Sequence, residues 1–117
     1  MSASAADDEF WEAAAPLLER PGVTRSTMMG YPCLRLHGDF FASWDPHQHA
    51  VVVKLDRQTV TALISEGRGE PFAPSGRPFQ EWVSIPTSAR ESWPDHLDAA
   101  FDCAVERAAT PRVKRAR

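Results

Sequence analysis

The stretch from Cys33 to Trp44, CLRLHGDFFASW, constrains the fold of this chain more than any other. Leu34 and Leu36 alternate with Cys33, Arg35 and His37, the period of two expected of a strand with one buried face. Gly38-Asp39 is a two-residue turn of hairpin length, and Phe40–Trp44 returns from it. So short a turn allows only antiparallel pairing, because a parallel partner needs a crossover of a dozen or more residues. An all-helical bundle and a doubly wound parallel sheet are therefore both excluded. Three further segments read as strands. Val23–Met29 is broken by Gly30-Tyr31-Pro32. Ala50–Leu55 is Val-rich and reads as central. Phe79–Ile85 sets Val83 and Ile85 against Trp82 and Ser84 and stops at Pro86.

Three helices complete the pattern. Asp7–Arg20 places Phe10, Ala14, Leu17 and Leu18 on one face and acids in its first turn, where the helix dipole favours them. Pro16 removes one internal hydrogen bond and is expected to kink or break it, and Pro21-Gly22 ends it. Asp56 is a preferred N-cap, flanked by Leu55 and Val60 at the positions of a hydrophobic staple. Gly67 is the natural residue to stop that helix. The last helix starts near Trp93, with Pro94 in its tolerant first turn and an apolar stripe of Trp93, Leu97, Phe101, Ala104, Val105 and Ala108. The order α-β-β-β-β-α-β-α predicts an α+β domain, a largely antiparallel five-stranded curved sheet with helices on one face. With 117 residues there is one core. It spans residues 8–108, with flexible ends at 1–7 and 109–117.

Composition narrows the function classes. The chain is 43% hydrophobic and 25% charged, so it has the apolar content to bury a core. No apolar run reaches the roughly 18 residues of a membrane span, and Met1–Asp8 lacks the pattern of a signal peptide. Two cysteines are too few to staple a secreted fold, which points to the cytoplasm. The net charge of −3 gives no global field for nucleic acid. Charge is nonetheless polarised: residues 1–20 carry −4, residues 21–105 carry −3 and residues 106–117 carry +4. The basic end reads either as a short phosphate-contacting arm or, favoured because Thr110-Pro111 stops the helix before it and no aromatic follows, as a frayed terminus. Eleven of the thirteen bases are Arg in an Ala-rich chain. That balance fits a GC-rich coding sequence, so the Arg count is not by itself a sign of phosphate recognition.

A sheet with helices on one face leaves the other open to a partner. The alternation places Cys33, Arg35, His37, Lys54, Trp82 and Ser84 on that face, with Arg25 and Thr27 beside them. Arg35, Lys54 and Trp82, with Arg77 at the rim, combine cations with an aromatic. That combination suits phosphate contacts with base stacking, or an acidic peptide. The competing reading folds Trp82 against the loop carrying Phe72 and Phe79 and leaves Arg35 and Lys54 merely solvated.

Several longer motifs are recognisable as well. They are MMGYPCLRLHGDFFASW at 28–44, VVVKL at 51–55, GRGEPFAPSGRPFQEWVSIP at 67–86 and the Trp93-Pro94 helix. Together they resemble the TfoX/Sxy N-terminal-domain family and, more distantly, the MmcQ/YjbR-like proteins. The family usually reads Met-Phe-Gly where this chain has Met28-Met29-Gly30. The resemblance implies a small α+β domain with a curved antiparallel sheet. In the YjbR branch it implies a DNA-binding double-wing arrangement. Full-length TfoX-type regulators carry a further C-terminal helical domain beyond the segment matched.

No catalytic set emerges. His47 and His49 with Asp45 supply at most part of a metal site, which needs three or four ligands. Cys33 near Arg35 and His37 is weak as a nucleophile. Asp95, Asp98, Asp102 and Glu106 lie on an outer helix face, where nothing raises a carboxyl pKa. Gly67-Arg68-Gly69 lacks the strand-then-helix setting of a nucleotide loop. The expectation is a non-enzymatic binding module, without metal or cofactor, contacting a regulatory protein or DNA through the open face. The alternative is a small-ligand or anion-binding domain using the same face.

Overall fold

The structure, a computed structural model, describes residues 5–28, 31–73 and 76–109. The chain runs α1 (Ala5–Leu18), β1 (Val23–Met28), β2 (Tyr31–Leu36), β3 (Asp39–Asp45), β4 (Ala50–Lys54) and α2 (Arg57–Ser65). It continues through β5 (Glu70–Pro71), β6 (Trp82–Pro86), a 3-10 helix (Thr87–Ser92) and α3 (Trp93–Ala109). The strands form one sheet in the order β1-β2-β3-β4-β6-β5 with every neighbouring pair antiparallel. The α+β class stands, but the sheet has six strands. The sixth is β5, two residues of the Gly/Pro-rich loop that pair with Ser84 and Val83.

The hairpin turn is His37-Gly38, one residue earlier than the sequence suggests. Both have positive φ, 51° and 92°, as a type I′ turn requires, and Leu36 pairs with Asp39 across it. His tolerates the left-handed region better than most side chains. The His37 N–H donates to the Gly22 carbonyl at 2.9 Å. A Cβ on Gly22, whose φ is 86°, would run into the His37 ring. His37 is thus an exposed turn residue, not a member of the strand face.

A bulge follows. Leu34 pairs with Ala42 but Arg35 pairs with Phe40, so β3 carries one extra residue, Phe41. This turns both Phe41 and Ala42 into the core, breaking simple alternation. Phe41 meets Phe101 of α3 edge-on at 6.1 Å. Trp44 stands between Phe10 of α1 and Trp93 of α3, at 6.3 and 5.8 Å. The Trp93 Nε1–H donates to the Ile85 carbonyl at 3.1 Å, which satisfies its polar atom inside the core. Each such buried side chain stabilises the fold by roughly 1.5–3 kcal/mol. Val51, Val53, Val83 and Ile85 from the central strands and Val60 and Leu63 from α2 join the same cluster.

The helices keep most of their predicted logic. The Asp56 carboxylate accepts the Thr59 N–H at 3.1 Å and its hydroxyl at 2.7 Å. Leu55 and Val60 are both buried, completing the staple. At the other end Gly67 N–H reaches the Ile64 carbonyl and Arg68 N–H the Leu63 carbonyl, a Schellman closure. Pro16 does not break α1, which passes through it and ends two residues later, before the Pro21-Gly22 stop. Residues 5–7, expected to be flexible, open that helix.

The stripe on α3 is corrected. His96 and Ala100 are buried, whereas Val105 is 43% exposed and Ala108 is also exposed. At 3.6 residues per turn Ala104 returns to within about 20° of Trp93, but Val105 lies about 120° away. Residues 1–4, 29–30, 74–75 and 110–117 lie outside the described residues. They include Met29, Gly30 and, from the basic end, Arg112, Lys114, Arg115 and Arg117.

Candidate functional site

Helices α1, α2 and α3 pack into the single core cluster, so among the described residues no helix covers the opposite sheet face. Register across that face aligns one residue from every strand: Ser26, Cys33, Ser43, Val52, Ser84 and Glu70. Apart from Glu70 these are small. Cys33, Ser43, Val52 and Ser84 are buried although none belongs to the core cluster. They form the floor of a trough whose sides are the neighbouring rows. One row carries Thr24, Arg35 and Phe40, with Lys54 facing Trp82; the other carries Tyr31, Asp45, Ala50 and Pro86. The floor is tied to the sheet: the Ser43 hydroxyl donates to the Pro32 carbonyl at 3.1 Å.

The face brings Arg35, Lys54 and Trp82 onto one row, each half-buried. The Arg35 guanidinium lies 4.3 Å from the centre of the Phe40 ring, a cation–π contact that holds it against the sheet. Its Nε is buried without a hydrogen bond. Trp82 also packs with the loop that the competing reading named. Phe72 lies 6.4 Å from Trp82 and 5.6 Å from Phe79. That loop supports the indole, and among the described residues no helix covers the trough. Arg77 is exposed on the loop between β5 and β6 and belongs to no strand row.

Arg25 and Thr27 are not on this face. Arg25 pairs with Leu34, and its guanidinium lies 4.1 Å over the Trp11 ring of α1, on the helix side. Thr27 is in phase with it. Cys33 does face the trough but is fully buried. Burial pushes its thiol up, beyond the opposing pull of Arg35 and of the Ser26 hydrogen bond. A raised thiol pKa means little thiolate near neutrality, so Cys33 is a poor nucleophile. The Cys103 thiol is likewise raised, chiefly by burial.

Tyr31 and His47 stand together at one side of this face. The Tyr31 hydroxyl and His47 Nε2 are 2.6 Å apart, and the rings meet edge-on at 5.5 Å. The sequence offers His47 only as part of a metal site with His49 and Asp45, and Tyr31 only within a strand break; the signal for Tyr31 is its phase, two residues before Cys33, and none pairs His47 with it. The Asp45 carboxylate accepts the N–H groups of His47 and Gln48, turning the loop so that His49 meets Trp44 instead. The two histidines therefore part rather than converge. Among the described residues no three His, Cys, Asp or Glu side chains stand together as a metal site. Nor, among them, is any helix long and apolar enough to cross a membrane.

Comparisons with protein-family models, with curated proteins and with solved structures find no match to this chain.

Proposed function

We propose that this chain is a non-enzymatic binding module that engages a macromolecular partner, a regulatory protein or DNA, through the open sheet face. The observation that carries the reading is the row on which Arg35 lies over Phe40 while Lys54 stands opposite Trp82. One cation held on an aromatic ring and a second paired across strands with an indole, at the edge of a trough of small side chains, suit an anionic partner with a flat or extended surface. The net charge of −3, with Asp45 and Glu70 on the same face, favours a protein partner over the uniform phosphate field of DNA. The reading is of TfoX/YjbR type, and the antiparallel α+β fold is what that resemblance implies.

The test is site-specific photo-crosslinking. A photoreactive residue at position 24, exposed on the row of Arg35, should yield adducts in cells that disappear when Arg35→Glu is added. The same residue at position 98, on the outer face of α3, should not yield them. No adducts at position 24, or the same adducts from both positions, would overturn the proposal.

A further inference from the structure

A cleft whose lining shares no residue with the open face lies between α2 and the loop that leads into β6. It is a cleft of about 350 Å³ lined by Arg57, Val60, Thr61, Ile64, Pro71, Pro78, Phe79 and Gln80. Its walls are mostly apolar: one turn-spaced pair on the helix, Val60 and Ile64, faces Pro71, Pro78 and Phe79. Phe79 is one of the few large apolar side chains left exposed, at 44%. The outer wall is nonetheless fixed. The Phe79 N–H donates to the Phe72 carbonyl at 3.0 Å, and the two rings meet edge-on. A preformed apolar cleft of this size is of the order found for small-ligand sites, about 300–1,000 Å³. A cavity of about 150 Å³ already accepts benzene.

The polar part of the lining has one sign. Among the described residues Arg57 is the only charged one in the lining. It takes part in neither ion pair among the described residues, which join Arg68 to Glu66 and Arg90 to Glu9. The adjacent Asp56 carboxylate is engaged by Thr59 and does not neutralise it through a salt bridge. Thr61 and Gln80 add hydrogen-bonding groups. We propose that this cleft binds a small aryl-alkyl carboxylate, its ring between Ile64 and Phe79 and its carboxylate on Arg57. The recruiting group is the guanidinium, whose paired N–H donors match a carboxylate. This site is separate from the open face, and neither proposal depends on the other.

The experiment titrates the whole chain with 3-phenylpropionate and, in parallel, with the uncharged 3-phenylpropanol, following backbone amide shifts. The acid should perturb Val60, Ile64 and Phe79 and bind more tightly than the alcohol. Arg57→Gln should weaken the acid by about tenfold or more and leave the alcohol within about twofold, as expected for loss of a charge-assisted hydrogen bond. Thr61→Phe, at an exposed helix position, should block both by filling the cleft. Shifts centred on Lys54 and Trp82 instead would overturn the proposal. So would equal effects of Arg57→Gln on acid and alcohol, or no shifts at millimolar acid.

Discussion

Two buried side chains show how environment, not residue type, sets chemistry here. His96 is buried on α3, and its pKa is lowered, first by burial and then by the positive Arg68, against a smaller opposing effect of Asp95. A histidine whose folded pKa lies below its unfolded value binds fewer protons in the native state. Its full contribution to stability is therefore present above the ordinary value of 6.5 and is lost as pH falls below it towards the folded value. Urea midpoints measured from pH 8 down to pH 5 should fall in that window, and His96→Gln should flatten the change. Cys33 is the second case. Its raised thiol should react with an aromatic disulfide reagent only as fast as the protein opens, so the rate should rise with denaturant. Prompt reaction in the native state would mean an accessible thiolate. The burial of Cys33 on a face without helices was not legible in the sequence. It follows from register, which lines up small residues from neighbouring strands.

The elements whose making is local were the ones most readable. Asp56, Leu55, Val60 and Gly67 act within one helix and its flanks, and the observed caps match the spacing. Asp56→Ala should therefore cost about 1 kcal/mol of stability by chemical denaturation. Gly67→Ala should cost about 1–2 kcal/mol, because its φ of 74° is left-handed while the space around it is open. Elements that depend on distant partners were misread. The bulge at Phe41 is a relation between two strands, and nothing in FFASW marks the extra residue. In β1 the pattern VTRSTM holds too few apolar residues to fix its phase. Only the pairing of Arg25 with Leu34 and its stacking on Trp11 show which side it takes. β5 is two residues long, below the length at which alternation carries information.

On the scale of the whole molecule, α1, α2 and α3 are gathered on one side of a six-stranded sheet, and Arg35, Lys54 and Trp82 stand on the other. The class of fold followed from turn lengths and periodicity. The identity of the face followed in part: Arg35, Lys54 and Trp82 share a row as alternation implied, while His37 went to the turn and Arg25 and Thr27 to the helix side. The measurement that bears most directly on the account is the affinity for the crosslinked partner, or for DNA, of the native chain and of the Arg35→Glu, Lys54→Glu double variant across a salt series. The variant should keep its fold by circular dichroism and lose binding about tenfold or more at low salt. If DNA is the partner, the log-log salt slope should also shrink by about one unit per lost phosphate contact. A folded variant that binds as the native chain does, at every salt concentration, would contradict it.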